Sequence, residues 1–315
     1  MQRSDTSDPA RGEPARVGVI GLGRMGLPIA RRLRATERVV VAGFDTDPLR
    51  RADFSPSTPE HASDAVALAR WADLLVTVLP GPLELDALLR AGVLGALRAG
   101  AVWVDLTSGD PRVARGLARE AEARGVGAVG APMAGGPSDA EAGTLGFFVG
   151  GPPDAVERAL PVLHVLGDPE RIERAGDDVG AGHVAKLLAN TLWFGQVAAV
   201  TEALLIGHAQ GIDSERLAAV LRRSAGGSAF LDRHLDRLLE GDYLETFGLD
   251  RVVEELDTVT ALAAEAGLTV ALTGLVAELH HEALERFGAV DGELLVAKLL
   301  EERAGARIRR PVHDV

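Results

Sequence analysis

The stretch VGVIGLGRMG, residues 17–26, decides the fold of this chain. It opens with a short apolar run that predicts a buried β-strand, and three glycines with the spacing G-x-G-x-x-G follow before a helical pattern begins. The first glycine permits a tight turn, the second lets a ligand approach the backbone, and the third permits close helix–strand packing. The helix N-terminus favours an anionic group. The stretch therefore predicts a strand–turn–helix unit that binds a dinucleotide pyrophosphate.

The predicted cofactor contacts are the six residues of this turn and an acidic residue at the end of the second strand. Asp45 lies about twenty residues after the turn, where a carboxylate hydrogen-bonds ribose hydroxyls and repels a 2′-phosphate. Thr46 adds no positive charge, so the sequence favours NAD, while Arg50 and Arg51 nearby leave NADP possible. The turn contributes Gly21, Leu22, Gly23, Arg24, Met25 and Gly26.

Outward from this unit the chain shows two patterns. Over residues 16–150, short apolar runs alternate with helical stretches, which predicts a parallel sheet covered by helices on both faces. After Gly180 the strand pattern ends. Helical stretches follow over 182–210, 214–224, 228–240, 248–266, 270–287 and 291–303. The predicted fold is an α/β N-terminal Rossmann domain followed by an all-α C-terminal domain.

The predicted domain boundaries follow from these two patterns. Residues 16–180 are predicted to form the NAD(P)-binding Rossmann domain, and residues 181–305 are predicted to form a helical domain. The flanking segments 1–15 and 306–315 are predicted to be disordered tails. The active site is expected in the cleft between the domains, outside the carboxyl ends of the strands.

Composition excludes several partners. The formal net charge of −13 disfavours nucleic acid and anionic membrane surfaces. The polar N-terminal segment has no apolar core of a signal peptide, and the chain has no cysteine, so we expect a cytoplasmic protein. The longest apolar stretch, residues 184–206, is interrupted by polar side chains and is expected to be a buried helix of a soluble protein, not a membrane span.

Three further motifs, together with the turn, resemble the β-hydroxyacid dehydrogenase family of 3-hydroxyisobutyrate and tartronate-semialdehyde-type enzymes. VDLTSGDP (residues 104–111) is similar to the family's D-x-S-T-x-x-P segment. The stretch at 131–151, which begins APMAGG, is similar to its substrate-binding segment. GAGHVAKLLAN (180–190) is similar to its catalytic helix G-x-G-x-x-x-K-x-x-N-N. The resemblance covers residues 16–305, with the four motifs in the family's order.

The resemblance implies hydride transfer between NAD(P) and a β-hydroxyacid, or a related alcohol, and its semialdehyde or keto form. It places Thr107 and Ser108 near the nicotinamide and the substrate. Gly135 and Gly136 would offer backbone N–H groups to a substrate carboxylate. The remaining expected contacts are Leu79 and Pro80 for the cofactor, and Ala134 and Trp193 for the substrate.

Lys186 is the expected acid and base. It is one of only two lysines among 33 basic residues, and an ammonium can exchange a proton where a guanidinium stays charged. Lys186 and Asn190 are four residues apart on a helix and therefore share a face. The resemblance implies that Lys186 protonates the developing alkoxide during reduction and accepts the proton during oxidation. Burial would have to lower its pKa for the oxidation.

Three positions depart from the family pattern. Ala134 replaces a serine that would contact substrate, and Ala189 replaces the first asparagine of the K-x-x-N-N pair. Glu254 occupies the position of the lysine in the later K-D-L motif. These changes favour a bulkier, less acidic or cationic substrate over the usual small hydroxyacid.

Two alternative functions are open. An imine reductase that uses NADPH has a segment similar to LTSGDP, but Asp45 and Lys186 argue against it. A non-catalytic cofactor-binding protein would be expected to lack Lys186. The resemblance also implies that the helical domain 181–305 binds substrate and forms the dimer contact. In every case we expect a small-molecule ligand and a homodimer or higher homo-oligomer.

Several histidines and the second lysine are predicted to have no catalytic role. His280 and His281 form an exposed-looking pair without metal-ligand spacing, so no metal site is expected. His183 at the helix start could face the cleft, but a solvated side chain is the favoured expectation. Lys298 is expected to be solvated. Trp193 shares the face of Lys186 and could either line the substrate pocket or belong to the core.

Overall fold

The computed structural model describes residues 15–36, 38–54, 62–245 and 247–310. The chain forms two compact units, Met1–Lys186 and Leu187–Val315. The change from one unit to the other falls within a long helix. The domain boundary that we place at residue 180 stays a prediction.

The first unit is built on an eight-stranded sheet with the order β2-β1-β3-β4-β5-β7-β6, in which β8 also pairs with β7. The strands are β1 (Arg16–Ile20), β2 (Val40–Phe44), β3 (Leu74–Thr77), β4 (Val102–Asp105), β5 (Gly127–Gly130), β6 (Met133–Ala134), β7 (Leu145–Gly150) and β8 (Gly167–Gly176). Strands β1 to β5 are parallel, and β7 runs antiparallel to β5. This confirms the predicted α/β domain with a mainly parallel sheet.

The register of the parallel strands brings their last residues into one row. Ile20 pairs with Phe44 on one side and with Thr77 on the other. Thr77 pairs with Asp105, and Asp105 pairs with Gly130. The order of the strands reverses around β1, so a crevice is expected at this carboxyl edge, which is where parallel α/β sheets bind their ligands.

Helices cover both faces of this sheet. They are α1 (Gly26–Ala35), α2 (Pro48–Phe54), α3 (Ala65–Trp71), α4 (Pro82–Leu88), α5 (Leu94–Ala96), α6 (Pro111–Glu122), α7 (Pro137–Ala142) and α8 (Pro153–Leu166). Alternate residues of β4 enter different cores: Val102 and Val104 pack in one cluster, and Trp103 packs in the other. Both faces are therefore apolar, which is why the strands read as nearly continuous apolar runs.

The second unit is helical over its described residues. Its helices are the continuation of α9 (Val179–Ala209), then α10 (Ser214–Arg222), α11 (Ala229–Arg233), α12 (Leu235–Glu240), α13 (Leu249–Glu265), α14 (Ala271–Phe287) and α15 (Leu295–Ala304). The all-α prediction is confirmed. The stretch predicted as one helix over 228–240 is two short helices, because the backbone leaves the helical conformation at His234.

The C-terminal segment 306–310 is packed against the second unit, so the predicted tail is wrong for these residues. Ile308 is fully buried, and its N–H donates to Oε1 of Glu301 at 2.7 Å. Arg309 donates to the same carboxylate oxygen at 2.7 Å and to the Tyr243 hydroxyl at 2.7 Å. Residues 311–315, and residues 1–14 of the predicted N-terminal tail, lie outside the described residues.

Helix α9 is long and apolar enough to cross a membrane by length and composition alone. One such helix is weak evidence, because the core helix of a soluble protein passes the same test. A third of its most apolar window is buried inside the structure. The expectation that this helix does not span a membrane stays a prediction.

Candidate active site

The glycine turn after β1 has the geometry of a phosphate-binding turn. Gly21 has φ +95°, and an added Cβ would lie 2.0 Å from the carbonyl oxygen of Val78. A Cβ at Gly26 would lie 1.8 Å from the Gly21 carbonyl oxygen. The chain's own packing therefore requires both glycines.

Gly23 differs from these two glycines because the packing of the chain does not require a glycine there. The nearest atom to an added Cβ there is Nη1 of Arg50, at 3.6 Å, which is ordinary contact. Helix α1 begins just beyond with no acidic residue in its first turn and no side-chain cap at Met25. A helix N-terminus of this kind stabilises an anion. The residues present thus fit a dinucleotide pyrophosphate.

Asp45 is buried at the end of β2 and holds the glycine turn. Its Oδ2 accepts a hydrogen bond from the Leu22 N–H at 2.8 Å, and its Oδ1 accepts from the Asp47 N–H at 2.9 Å. Nη1 of Arg50 lies 3.6 Å from Oδ2. Each carboxylate oxygen can accept a further bond, so ribose recognition remains available to Asp45. Its role in cofactor choice stays a prediction.

The ends of β3 and β4 are joined through polar side chains. Oδ1 of Asp105 accepts from the Thr77 hydroxyl at 2.8 Å and from the Thr107 N–H at 3.1 Å. The Thr107 hydroxyl in turn accepts from the Leu79 N–H at 3.1 Å. Thr107 is buried, whereas Ser108 is half-buried and Pro80 is exposed. Two predicted cofactor contacts, Leu79 and Thr107, are therefore neighbours at the carboxyl edge.

The predicted substrate-binding glycines follow β6. Ala134 ends that strand and pairs with Gly146, and Gly135 has φ +123°. The Gly136 N–H donates to Oδ2 of Asp139 at 2.8 Å. A substrate carboxylate would have to displace Asp139 in order to use this N–H, and the assignment of both glycines to substrate binding stays a prediction.

The first turn of α9 packs directly on the ends of β5 and β7. A Cβ at Gly182 would lie 2.2 Å from the Phe148 carbonyl oxygen, and a Cβ at Gly130 would lie 2.8 Å from Nε2 of His183. Gly182, the second glycine of the G-x-G start, thus lies where the helix meets the sheet. Lys186 follows one turn later and is half-buried.

His183 is fully buried, so the expectation of a solvated histidine is wrong. Its side chain is 1% exposed, and Nε2 lies 3.6 Å from Oδ2 of Asp105, whose side chain is also 1% exposed. Burial, helped by the nearby Arg115 guanidinium, lowers the pKa of His183 to about 4. Burial raises the pKa of Asp105 to about 6, against the effect of the Thr107 and Thr77 hydrogen bonds.

In the second unit, Asn190 is held by an acidic side chain of α13. Its Nδ2 donates to Oε2 of Glu255 at 2.7 Å, and Glu255 is buried. Glu254 is half-exposed and instead accepts from Arg251 at 2.8 Å. The negative charge of Glu254 is therefore balanced by Arg251. The neighbouring carboxylate of Glu255 orients the Asn190 amide.

Aromatic rings surround Trp193. It makes edge-to-face contacts with Phe194, Phe230 and His234, with ring centroids 5.6–6.0 Å apart. It is only partly buried and packs against both apolar clusters of the second unit. These contacts support the prediction that Trp193 belongs to the apolar core of the second unit. Its contact with substrate stays a prediction.

Two other expectations about basic residues are wrong. His280 is fully buried, with Nδ1 2.8 Å from the Val276 carbonyl oxygen, while its neighbour His281 is exposed. Lys298 is half-buried, with its ammonium 4.9 Å from the ring centre of Phe287. Among the described residues, no group of three or more His, Asp or Glu could hold a metal ion.

The sequence reasoning missed three residues of this region: Asp105, His183 and Glu255. A polar residue at the last position of a buried strand was the available signal for Asp105. The other two lie on helices, and helical periodicity alone does not show which polar residue faces a polar partner.

The fold and the glycine turn define an NAD(P)-binding protein, and comparison with known proteins agrees. The sequence profile of the NAD binding domain of 6-phosphogluconate dehydrogenase matches residues 16–176. The profile described as NAD-binding of NADP-dependent 3-hydroxyisobutyrate dehydrogenase matches residues 180–300.

Individual relatives are dehydrogenases. The 2-(hydroxymethyl)glutarate dehydrogenase of Eubacterium barkeri is 30% identical over 267 residues, which cover 84% of this chain and 87% of that protein. The 3-hydroxyisobutyrate dehydrogenase of Pseudomonas aeruginosa is 35% identical over 215 residues, covering 67% and 70%. A solved Mycobacterium tuberculosis 3-hydroxyisobutyrate dehydrogenase with L-serine has 25% identity and a TM-score of 0.81, covering 90% and 99%.

This chain is an NAD(P)-dependent dehydrogenase that acts on CH–OH groups. It belongs to the β-hydroxyacid dehydrogenase family.

Proposed function

We propose that this enzyme interconverts a β-hydroxyacid and its semialdehyde or keto form, with NAD preferred over NADP and Lys186 as the proton donor and acceptor. The observation that carries the proposal is the junction at the carboxyl edge of the sheet. The glycine turn follows β1 and Thr107 follows β4 at this edge, and α9 starts against β5 and β7 of the same sheet and carries Lys186 one turn later.

Residues of the first unit would hold the cofactor. The open backbone at Gly23 and the start of α1 suit the pyrophosphate, and Asp45 suits the adenosine ribose. Thr107 and Leu79 lie at the ends of the next two strands, where they would border the nicotinamide. The bound dinucleotide supplies or accepts a hydride at the substrate carbon.

Lys186 and Asn190 would manage the proton. In oxidation the neutral Lys186 amine takes the hydroxyl proton as the hydride leaves the same carbinol; in reduction the ammonium returns it to the alkoxide oxygen. The Glu255 carboxylate accepts from one Asn190 donor and so sets the orientation of the amide. Preorganised polar groups of this kind stabilise the charge that develops on the substrate oxygen.

The proposed substrate class follows from the positions at which this chain departs from the family pattern. Ala134 gives the site one hydroxyl fewer and more room than a serine would. Arg251 offsets the charge of Glu254, so that position does not by itself call for a cationic substrate. We favour a hydroxyacid bulkier than 3-hydroxyisobutyrate.

The test follows nicotinamide absorbance with NAD⁺ and with NADP⁺ over 3-hydroxyisobutyrate, 2-(hydroxymethyl)glutarate, L-serine and L-threonate. Lys186→Ala should bind the cofactor normally and lose at least about a hundredfold in kcat. Lys298→Ala is the matched control, because the chain's only other lysine packs over Phe287 and should leave kcat unchanged. Full turnover in Lys186→Ala would remove the proposed role.

The same assay separates the alternatives. Reduction of cyclic imines with NADPH, without turnover of hydroxyacids, would identify an imine reductase. Cofactor binding with no turnover of either panel would mean that the substrate lies outside both panels.

Assembly and location belong to the proposal as well. The second unit exposes large apolar side chains, including Leu192 of α9 and Leu272 and Leu275 of α14. Such side chains suit a protein–protein interface, so we expect a homodimer or higher homo-oligomer. The proposed location in the cytoplasm rests on the cysteine-free composition. Light scattering during size-exclusion chromatography measures the assembly, and a monomer at micromolar concentration would contradict it.

A further inference from the structure

Two fully buried polar side chains face each other beneath the start of α9. Nε2 of His183 and Oδ2 of Asp105 are 3.6 Å apart, and each side chain is 1% exposed. Within the described residues, Oδ2 and both ring nitrogens of His183 make no hydrogen bond. Burying polar atoms in this way is costly unless they pair, so the arrangement calls for an explanation.

Asp105 is anchored on one side only. Its Oδ1 is held by the Thr77 hydroxyl and the Thr107 N–H, and Thr77 itself accepts from the Trp103 indole at 3.0 Å. This fixes the carboxylate and directs the second oxygen, Oδ2, towards His183. Through Thr107, the same carboxylate is tied to the turn that would border the nicotinamide.

His183 is anchored on the other side, in the helix that carries Lys186. It lies three residues before Lys186, one turn closer to the helix start. Close packing at Gly130 and Gly182 holds the backbone of this turn against the sheet, which leaves the His183 side chain to adjust. The pair therefore links the position of the expected proton donor to the expected position of the hydride.

Charge and protonation allow the pair to form a hydrogen bond. With the pKa of Asp105 near 6 and that of His183 near 4, neutral solution holds a carboxylate opposite a neutral imidazole. A neutral imidazole has one N–H donor. The other charged groups around His183 are Arg115, which opposes its protonation, and Asp110 and Asp178, which favour it.

We propose that His183 is a positioning residue: its Nε2–H donates to Oδ2 of Asp105 in the working enzyme and so fixes Lys186 against the Thr107 turn. The 3.6 Å separation is longer than a hydrogen bond, and a movement of a few tenths of an ångström closes it. Hydrogen bonds in active sites commonly tighten in this way when ligands bind. The inference rests on the proposed function, because it assigns Lys186 its role.

The test compares two replacements of His183. His183→Gln keeps a donor near the Nε2 position, whereas His183→Leu keeps the volume and removes the donor. We expect His183→Leu to lose about thirtyfold or more in kcat with KM and cofactor affinity within about twofold, because a small displacement of a catalytic group costs rate more than binding. We expect His183→Gln to recover to within about fivefold of the parent.

A control variant separates positioning from stability. His280→Leu removes another fully buried histidine, at a site on α14 with no role in the proposed chemistry. It should lower the melting temperature without a change in kcat at temperatures where it stays folded. Equal losses of kcat in His183→Leu and His183→Gln, or no loss in either, would overturn the proposal.

A second readout does not depend on turnover. The nitrogen NMR spectrum of the histidines in the NAD⁺-bound protein should show His183 as the Nε2–H tautomer, with a strongly deshielded proton that exchanges slowly. Absence of this signal, or a protonated Nδ1, would overturn the proposal. If the hydroxyacid panel shows no turnover but the signal is present, the proposed function has failed and the hydrogen bond stands.

Discussion

The side-chain amide of Asn190 donates to the carboxylate of Glu255 over 2.7 Å, and Glu255 is buried at the position that follows Glu254 on α13. One end of the expected Lys–Asn pair is thus held by a carboxylate from another helix of the second unit. Loss of this acceptor would remove one restraint on the orientation of the half-buried Asn190 amide.

We therefore predict that Glu255→Ala lowers kcat about tenfold or more through misorientation of Asn190, while cofactor affinity stays within about twofold. Glu255→Gln keeps an oxygen acceptor and should be milder. The matched control is Asp257→Asn on the same helix, where the carboxylate pairs with His281 at the surface. Steady-state kinetics of the four proteins measure the effect, and unchanged kcat in Glu255→Ala would contradict it.

The glycines of the turn should separate stability from cofactor binding. Gly21→Ala places a Cβ 2.0 Å from a carbonyl oxygen at a positive φ, so we expect a loss of roughly 2 kcal/mol or more in the free energy of unfolding. Gly23→Ala has room in the chain and should keep the parent stability, yet lose about tenfold or more in affinity for NAD⁺.

Urea unfolding and fluorescence titration with NADH distinguish the two glycine variants. Equal stability losses in both would mean that Gly23 is required by the chain. Normal NADH affinity in a folded Gly23→Ala would place the pyrophosphate elsewhere.

Asp45 should discriminate between the two dinucleotides by charge. Asp45→Asn keeps an oxygen that can accept from the Leu22 N–H and removes the negative charge, while Arg50 at 3.6 Å remains. The ratio of NADPH to NADH affinity should rise about tenfold or more. Asp47→Asn, at a neighbouring exposed carboxylate, is the control. If the ratio of NADPH to NADH affinity is unchanged in Asp45→Asn, residues other than Asp45 determine the choice of cofactor.

His280 should make the protein less stable in acid. Burial lowers its pKa from 6.5 to about 4, so the folded state prefers the neutral ring. Its contribution is complete above pH 6.5 and is lost as the pH falls to 4, a change of about 3 kcal/mol at most.

The measurement for His280 is urea unfolding between pH 7 and pH 4. His280→Asn can still donate to the Val276 carbonyl and does not titrate, so it should lose less stability over this range than the parent. His208→Asn changes an exposed histidine of α9 and should follow the parent curve. If the free energy of unfolding falls equally with pH in all three proteins, His280 does not cause the loss of stability in acid.

The strand–helix alternation and the turn were predictable because both depend on short-range patterns. Buried parallel strands must be apolar on both faces, and Gly21 and Gly26 are sterically required. Strand β8 was not predicted, because its residues are mostly polar and exposed and its pairing with β7 is set by tertiary contacts.

The polar partners in the site were harder to predict than the motifs. Lys186 and Asn190 stand out from spacing and residue type, but the side chains that face Asp105 and Asn190 come from distant parts of the chain. His183 looked like an ordinary first-turn residue, and only the tight approach of α9 to the sheet buries it. The separation in sequence between Asn190 and Glu255 is 65 residues, which no local pattern spans.

The docked segment 306–310 has a practical consequence for making shortened forms of this protein. Glu301 is buried, and its carboxylate receives the Arg309 guanidinium and the Ile308 N–H. A chain cut after residue 305 would leave that carboxylate without either donor and would uncover the apolar site of Ile308. Such a fragment should be expressed in poor yield and should be degraded by proteases. A stop codon after residue 310 would keep the contacts of Ile308 and Arg309 with Glu301.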